Sequence, residues 1–392
     1  MKKHSVRSLL LALTLFLLPL VAACTEKTPE INPYIRVFEE GNLSFGVTDE
    51  AAGTCAVLGF AGKETARAEI PASAGGFRVT EIATSAFCNC ETLEEAAIPA
   101  GVVRIGDNAF YGCVSLREAV LPQGVERICW NAFYGCESLR RAVLPPSLAA
   151  VERNAFYGCK RLSRVEIADL AGWCAVSFEF YHDEFCSNPL WYAKDLTVGG
   201  ELLTNLAVPA GVTEIGNSAF CNCKSLKTVS FPSGLTHVGN YAFANCAELT
   251  AVDLPESVSE IGERAFFSCA ALESATLGGA QKVAPFAFAE CAKLKNIKFP
   301  ANVRQVEQFV LASCSALETI DLPESVEKIN MGAFRLCGNL REIRFAGTVE
   351  QWRAIDKVVF DPDSIYADLD WDYGWSFNTN VDYVICSDGT AN

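Results

Sequence analysis

Apolar and polar positions along most of the chain repeat with a period of 23 residues. The stretch Arg104–Pro122, RIGDNAFYGCVSLREAVLP, returns as RICWNAFYGCESLRRAVLP at Arg127–Pro145, HVGNYAFANCAELTAVDLP at His237–Pro255 and EIGERAFFSCAALESATLG at Glu260–Gly278. One column holds Cys90, Cys113, Cys136, Cys159, Cys223, Cys246, Cys269, Cys291, Cys314 and Cys337. Three residues before each stands a phenylalanine, or Leu311 in one unit, and three residues after each stands a leucine. A fixed period between roughly 20 and 50 residues marks a solenoid.

After each cysteine the pattern alternates, as in Leu249-Thr-Ala-Val252-Asp-Leu254-Pro255. This predicts a short strand with Val252 and Leu254 inward and Asp253 outward, stopped by a proline that has no N–H for the ladder. The Ala-Phe-x-x-Cys part has the tighter spacing of a helical turn, with phenylalanine as the core plug. A unit carries about five large apolar side chains, each worth roughly 1.5–3 kcal/mol when buried. Ordering its backbone costs roughly 1–2 kcal/mol per residue, so a unit folds only against its neighbours. The expected fold is a solenoid, α/β to mainly β, with a curved parallel sheet of short strands, one per coil. Roughly a dozen coils spaced about 4.8 Å apart extend on the order of 55–60 Å.

The combination of Ile, Ala-Phe, Cys, Leu, aliphatic and Leu/Phe-Pro at this period resembles the BspA-like leucine-rich repeats of bacterial surface proteins. The resemblance covers about Thr80–Ala346 in ten units. Departures are Leu311 for Phe, Ala168, Gly278 and Ala346 for Pro, and a unit one residue short between Cys269 and Cys291. It implies a non-catalytic surface module that binds proteins or glycoproteins through the concave face: host matrix proteins, mucins or other cells.

The remaining segments flank or interrupt the array. Lys2, Lys3 and Arg7 precede the apolar run Leu9–Leu20, which is shorter than the ~20 residues of a spanning helix and reads as an export signal over 1–23. Val21-Ala22-Ala23-Cys24 resembles the lipobox of bacterial lipoproteins, which implies a diacylated Cys24 at the mature N-terminus; ordinary cleavage beside an incidental cysteine is the plainer alternative. A polar tether is expected over 24–33, an N-terminal cap over 34–79, the repeat array over 80–346 and a C-terminal cap over 347–392. Within the array, 169–208 is a divergent coil with an insertion, marked by the hairpin signal around Gly199-Gly200. Trp352 and Ile355, at helical spacing, are expected to close the last coil. The tail carries no second hydrophobic segment, which leaves Cys24 as the anchor.

Composition narrows the function. The formal net charge is −15, and the leader removes three basic residues and no acid. That disfavours nucleic acid and anionic lipid as ligands. Eighteen cysteines in an exported chain suggest disulfides. Equivalent positions in stacked coils, however, have parallel Cβ vectors about 4.8 Å apart, wider than the ~3.8 Å a bridge prefers. The column therefore reads as buried free thiols; the pairing state of Cys55, Cys174, Cys186 and Cys386 stays open. The 23-residue spacing does not suit a metal site. In the CxC pairs Cys88/Cys90 and Cys221/Cys223, one thiol is expected inward and one outward. His182 and His237 belong to no triad or HExxH pattern, and no phosphate loop or nucleophile motif is present. The acidic run from Asp361 to Asp372 lacks the EF-hand spacing. No cofactor or metal is expected, and a monomer is.

The outward strand positions are where a ligand would read the protein. Ala97, Val120 and Val143 are apolar where a solvent-facing strand carries polar residues, with Arg141, Arg164 and Glu166 beside them. Either they form a protein-binding patch or they are β-favouring fillers with no partner. A lipid-anchored envelope protein on the outer surface follows as the functional expectation; a periplasmic scaffold is the alternative.

Overall fold

Each coil turns on a short arc that joins two strands. In a computed structural model, which describes residues 34–181, 185–357 and 383–391, the alternating segment forms the expected three- or four-residue strands. Glu118–Val120, Arg141–Leu144 and Arg164–Ile167 pair in parallel with no register shift, and Ala251–Leu254, Ser274–Leu277 and Asn296–Lys298 do the same. Val252 and Leu254 are buried and Asp253 is exposed. A second strand of two residues per coil is an addition to the expectation. Ile105, Ile128, Val151 and Phe178 stand in register along it, every one buried. The fold is a parallel β-solenoid of about 12 coils with little helix. The leader, the tether with Cys24, His182 and the acidic run at Asp361–Asp372 lie outside the described residues.

The Ala-Phe-x-x-Cys arc is a chain of tight turns and not the helical turn its spacing suggests. Alternate amides bond back three residues, as Ala109 N to Gly106 O (3.2 Å) and Cys113 N to Phe110 O (3.2 Å). The intervening amides reach the next coil: Asn108 N to Trp130 O (2.8 Å), Phe110 N to Ala132 O (2.7 Å) and Gly112 N to Tyr134 O (2.8 Å). This division requires two left-handed residues per coil, five and one before the cysteine. Asn108 and Gly112 (φ 53° and 69°) and Asn131 and Gly135 (φ 55° and 70°) fill them with the residue types that tolerate this conformation. Tyr241, Arg264, Phe286 and Phe309 occupy the first of these positions with φ of 53–58°, at a backbone cost of about 1–2 kcal/mol each. Their side chains offset it by stacking. The Arg264 guanidinium lies 4.5 Å from the Phe286 ring centre, and Phe286 stacks on Phe309 at 4.9 Å. Phe309 in turn rests on Gly332, where a Cβ would come within 2.3 Å of the ring.

The core is a pair of aromatic stacks. Phe87, Phe110, Phe133 and Phe156 lie face to face at 5.2–5.3 Å, and Phe220, Phe243, Phe266 and Phe288 at 5.1–5.3 Å. Phe60 of the N-terminal strands meets Phe87 edge-on at 5.3 Å. Between the stacks the inserted coil is spliced on both sides. Trp173 is buried against Phe178, and its indole N–H donates to Ala219 O at 2.9 Å. Gly158 N, which has no following coil of the regular kind, donates to the Tyr192 hydroxyl at 3.0 Å. Gly216 N and Lys224 N donate to Cys174 O and Lys194 O. The coil that is one residue short bends at Gly278 and Gly279, where a Cβ would come within 2.1 and 2.3 Å of carbonyls of the preceding coil.

At the N-terminal end, Leu43–Asp49 and Thr54–Phe60 form an antiparallel pair, and Thr54–Phe60 continues in parallel onto Phe77–Ile82. At the other end, Thr348 and Gln351 form a reciprocal capping box at the start of the helix Val349–Ala354, which buries Trp352. The box meets two backbone donors that a helix start leaves open. Asp356–Lys357 and Tyr383–Cys386 then extend the two sheets.

Two substitutions test this construction. Phe133→Ala removes one plate of a continuous stack and is expected to lower stability by about 3–5 kcal/mol in a urea melt; an unchanged melt contradicts the stack. Gly135→Ala places a side chain in the left-handed region and is expected to cost about 1–2 kcal/mol by the same measurement.

Candidate functional site

The exposed side of the longer strands gathers the residues singled out in sequence. Ala97 is exposed, Val120 is 46% exposed and Val143 is half-buried. Val120 and Val143 face each other across the ladder, as do Val143 and Glu166. Arg67–Glu69 pairs with Glu95–Ala97, and Glu118–Val120 pairs with Arg141–Leu144, yet no ladder joins Glu95–Ala97 to Glu118–Val120. The coils stay in register there through Arg117 N to Glu94 O (3.1 Å). Above that bond the strands part and leave a crevice of about 370 Å³, lined by Arg67, Glu95, Ala96, Ala97, Arg117, Glu118 and Val120.

Arg141 and Arg164 are both met by carboxylates. Arg141 donates to Glu118 at 3.0 Å and to Glu166 at 2.6 Å, and Arg164 lies 3.7 Å from Glu166. The hydrogen bond from Arg141 holds the Glu166 carboxyl below the usual range, and the same bond raises Arg141. Arg67 and Arg117 are also paired, with Glu69 and Glu95 and with Glu94 respectively. The site therefore presents an apolar floor with a rim of matched charges. Arg67 and Arg117 escaped the sequence reading because they sit at the start of a flanking strand and just before a regular one. The crevice had no signal at all, since it is a gap between coils.

Further along the same face several outward positions are small and polar, with charged ones at Lys298 and Arg344. Thr228 donates to Asn205 at 2.6 Å, and Thr276–Asp253 and Thr319–Asn296 are bonded likewise. His237 lies elsewhere, on a two-residue strand, with Nδ1 2.9 Å from the Thr236 hydroxyl and 3.7 Å from Glu214.

Among the described residues, Asp107, Cys129 and Glu152 bring a thiol and two carboxylates within 4.8 Å. Their charges are already met: Arg127 lies 2.9 Å from Glu152 and Arg104 3.7 Å from Asp107. Burial pushes the Cys129 thiol up to about 11. The cluster is an ion-pair network around a buried thiol. The column positions from Cys90 to Cys314 are free and buried. Eight thiols of the column donate to a carbonyl of the preceding coil, among them Cys113 to Phe87 O at 3.0 Å, Cys136 to Phe110 O at 3.2 Å and Cys337 to Leu311 O at 3.1 Å. Cys55 and Cys174 are also free and buried. Cys386 is buried. Cys88 and Cys90 divide as expected into a half-buried and a buried thiol, but Cys221 and Cys223 are both buried. The insertion covers the former's side, where Asn222 Nδ2 donates to Leu190 O and Trp191 O.

The model of the BspA type leucine-rich repeat region matches residues 68–173, 199–284 and 278–360 in six copies. The chain belongs to that family. It is similar to a leucine-rich cell surface protein of Faecalibacterium prausnitzii, at 25% identity over 82% of this chain and 97% of the other, with a TM-score of 0.45. A leucine-rich repeat protein of Bacteroides ovatus is 23% identical over 81% and 97%, with a TM-score of 0.38. The pneumococcal vaccine antigen PcpA is 16% identical over 84% and 99%, with a TM-score of 0.44. None of the curated proteins matches the chain.

The bridge at Arg141 sets a pH dependence. A carboxyl lowered in the folded state contributes stability above its unfolded pKa, and that contribution is lost as pH falls through the folded pKa. Titration of Glu166 by NMR is expected to place it below a peptide glutamate in the native protein and to raise it in Arg141→Ala. Equal values in the two proteins contradict the bridge.

Proposed function

We propose that this chain is an exported, lipid-anchored cell-envelope protein that binds proteins or glycoproteins through its longer-strand face. Family membership supports a non-catalytic recognition role, and the charged, apolar and small-residue order of 1–24 supports export and anchoring. The single observation that carries the reading is the apolar floor of Ala97 and Val120 in an open crevice whose rim charges are paired among themselves. Burying Val120 and Ala97 against a partner gains apolar area, and the partner need bring no net charge because the rim is already matched. Acylation at Cys24 would hold the solenoid to the membrane as a monomeric rod, with host matrix proteins, mucins or neighbouring cells as the partners.

The test combines location and binding. Protease applied to intact cells is expected to remove the protein; survival until lysis instead favours a periplasmic scaffold. Purified protein is then applied to immobilised mucin and matrix proteins. Val120→Asp is expected to weaken retention at least tenfold with an unchanged melting curve. Equal retention by the two proteins overturns the assignment of this face.

A further inference from the structure

The thiol column has a consequence independent of what the longer-strand face binds. Eight of its cysteines, from Cys113 to Cys337, donate to a main-chain carbonyl of the preceding coil at 3.0–3.3 Å. Seven of these carbonyls also accept the cysteine amide of their own coil, as Phe110 O does from Cys113 N at 3.2 Å. Each of these thiols thus has a fixed direction, toward a backbone oxygen of the preceding coil. Parallel Cβ vectors about 4.8 Å apart suit this bond and not a bridge. All eight side chains are buried, which keeps soluble oxidants out and pushes thiols such as Cys269 and Cys337 up to about 12.

Nothing of this protection exists before folding. In the unfolded chain the same cysteines are exposed and react as ordinary thiols. Within each half of the array they lie 22 or 23 residues apart in sequence, separations at which loop closure is easy. A bridge between any two of them ties together residues that must occupy separate coils with parallel side chains, and it removes two thiol donors from backbone carbonyls.

We propose that the column makes folding a one-way redox gate: the reduced chain enters a fold in which its thiols can be neither reached nor bridged, and the oxidised chain is held outside that fold. In the gating step two cysteine thiols give up two protons and two electrons to a low-molecular-weight disulfide such as oxidised glutathione. A thiolate attacks one glutathione sulfur and expels the first glutathione thiol. The second cysteine then displaces the other, leaving one protein S–S bond and two reduced glutathiones. The chain must therefore complete its coils before meeting an oxidant, which places its folding in a milieu poor in disulfide-forming activity.

The experiment treats the full chain in two orders. Native protein is held for a day with excess oxidised glutathione; separately, protein is unfolded in urea with the same reagent and then diluted. Circular dichroism reads the sheet, and mass spectrometry after alkylation reads each cysteine. The native sample is expected to keep its column thiols unmodified. The sample oxidised in urea is expected to recover less than about a tenth of its sheet signal, and to regain it once a dithiol reductant is added. Cell-free synthesis with and without oxidised glutathione reads the same gate on a nascent chain, which covers a protein that fails to refold from urea even when reduced. Bridges among column cysteines in a chain with unchanged dichroism overturn the proposal, as does equal folding with and without oxidant.

Discussion

The carbonyl of the plug phenylalanine is where the coil is closed and where it is joined to the next. Phe110 O receives Cys113 N from its own turn and the Cys136 thiol from the following coil. Both lone pairs of a buried backbone oxygen are thereby used, and such groups are costly when left unmet. Alanine in the cysteine column would leave the second lone pair open and a void where the sulfur sat. Once this point is fixed, the ring of Phe110 has to lie over those of Phe87 and Phe133, and the arc amides have to fall opposite the next coil's carbonyls. The two sheets then follow as the straight segments between arcs.

How far this was legible in the sequence depended on whether a residue does the same job in every coil. Phenylalanine, cysteine and leucine do, so their columns announced the solenoid and its inward faces. The left-handed positions were harder, because Asn108, Tyr241, Arg264 and Phe309 share a backbone conformation and no chemistry. The shared factor is which amides must point to the next coil, and that becomes visible only with coils stacked. The two-residue strands were hidden for a related reason: a pair such as Arg127–Ile128 is too short to show alternation, and only its parallel partners define it.

The candidate site shows the same limit from the other side. Ala97, Val120 and Val143 stood out because they break a rule that holds elsewhere on the face. The meaning of Arg141 did not, since its partners Glu118 and Glu166 come from the coils on either side. The crevice arises where one ladder is missing between Glu95–Ala97 and Glu118–Val120 while the bonds beneath it remain. Core and surface are thus separable: recurring plugs and thiols hold the coils, and the outward strand positions are free to differ from coil to coil.

If one continuous array runs through the inserted coil, native-state hydrogen exchange reads it as a single unit. The amides that cross between coils, including Phe110 and Phe133 before the insertion, Gly216 and Lys224 at it, and Phe243 and Phe266 after it, are predicted to be protected together and to exchange through one shared opening. Two groups with separate opening free energies, divided at residues 169–208, would contradict a single array.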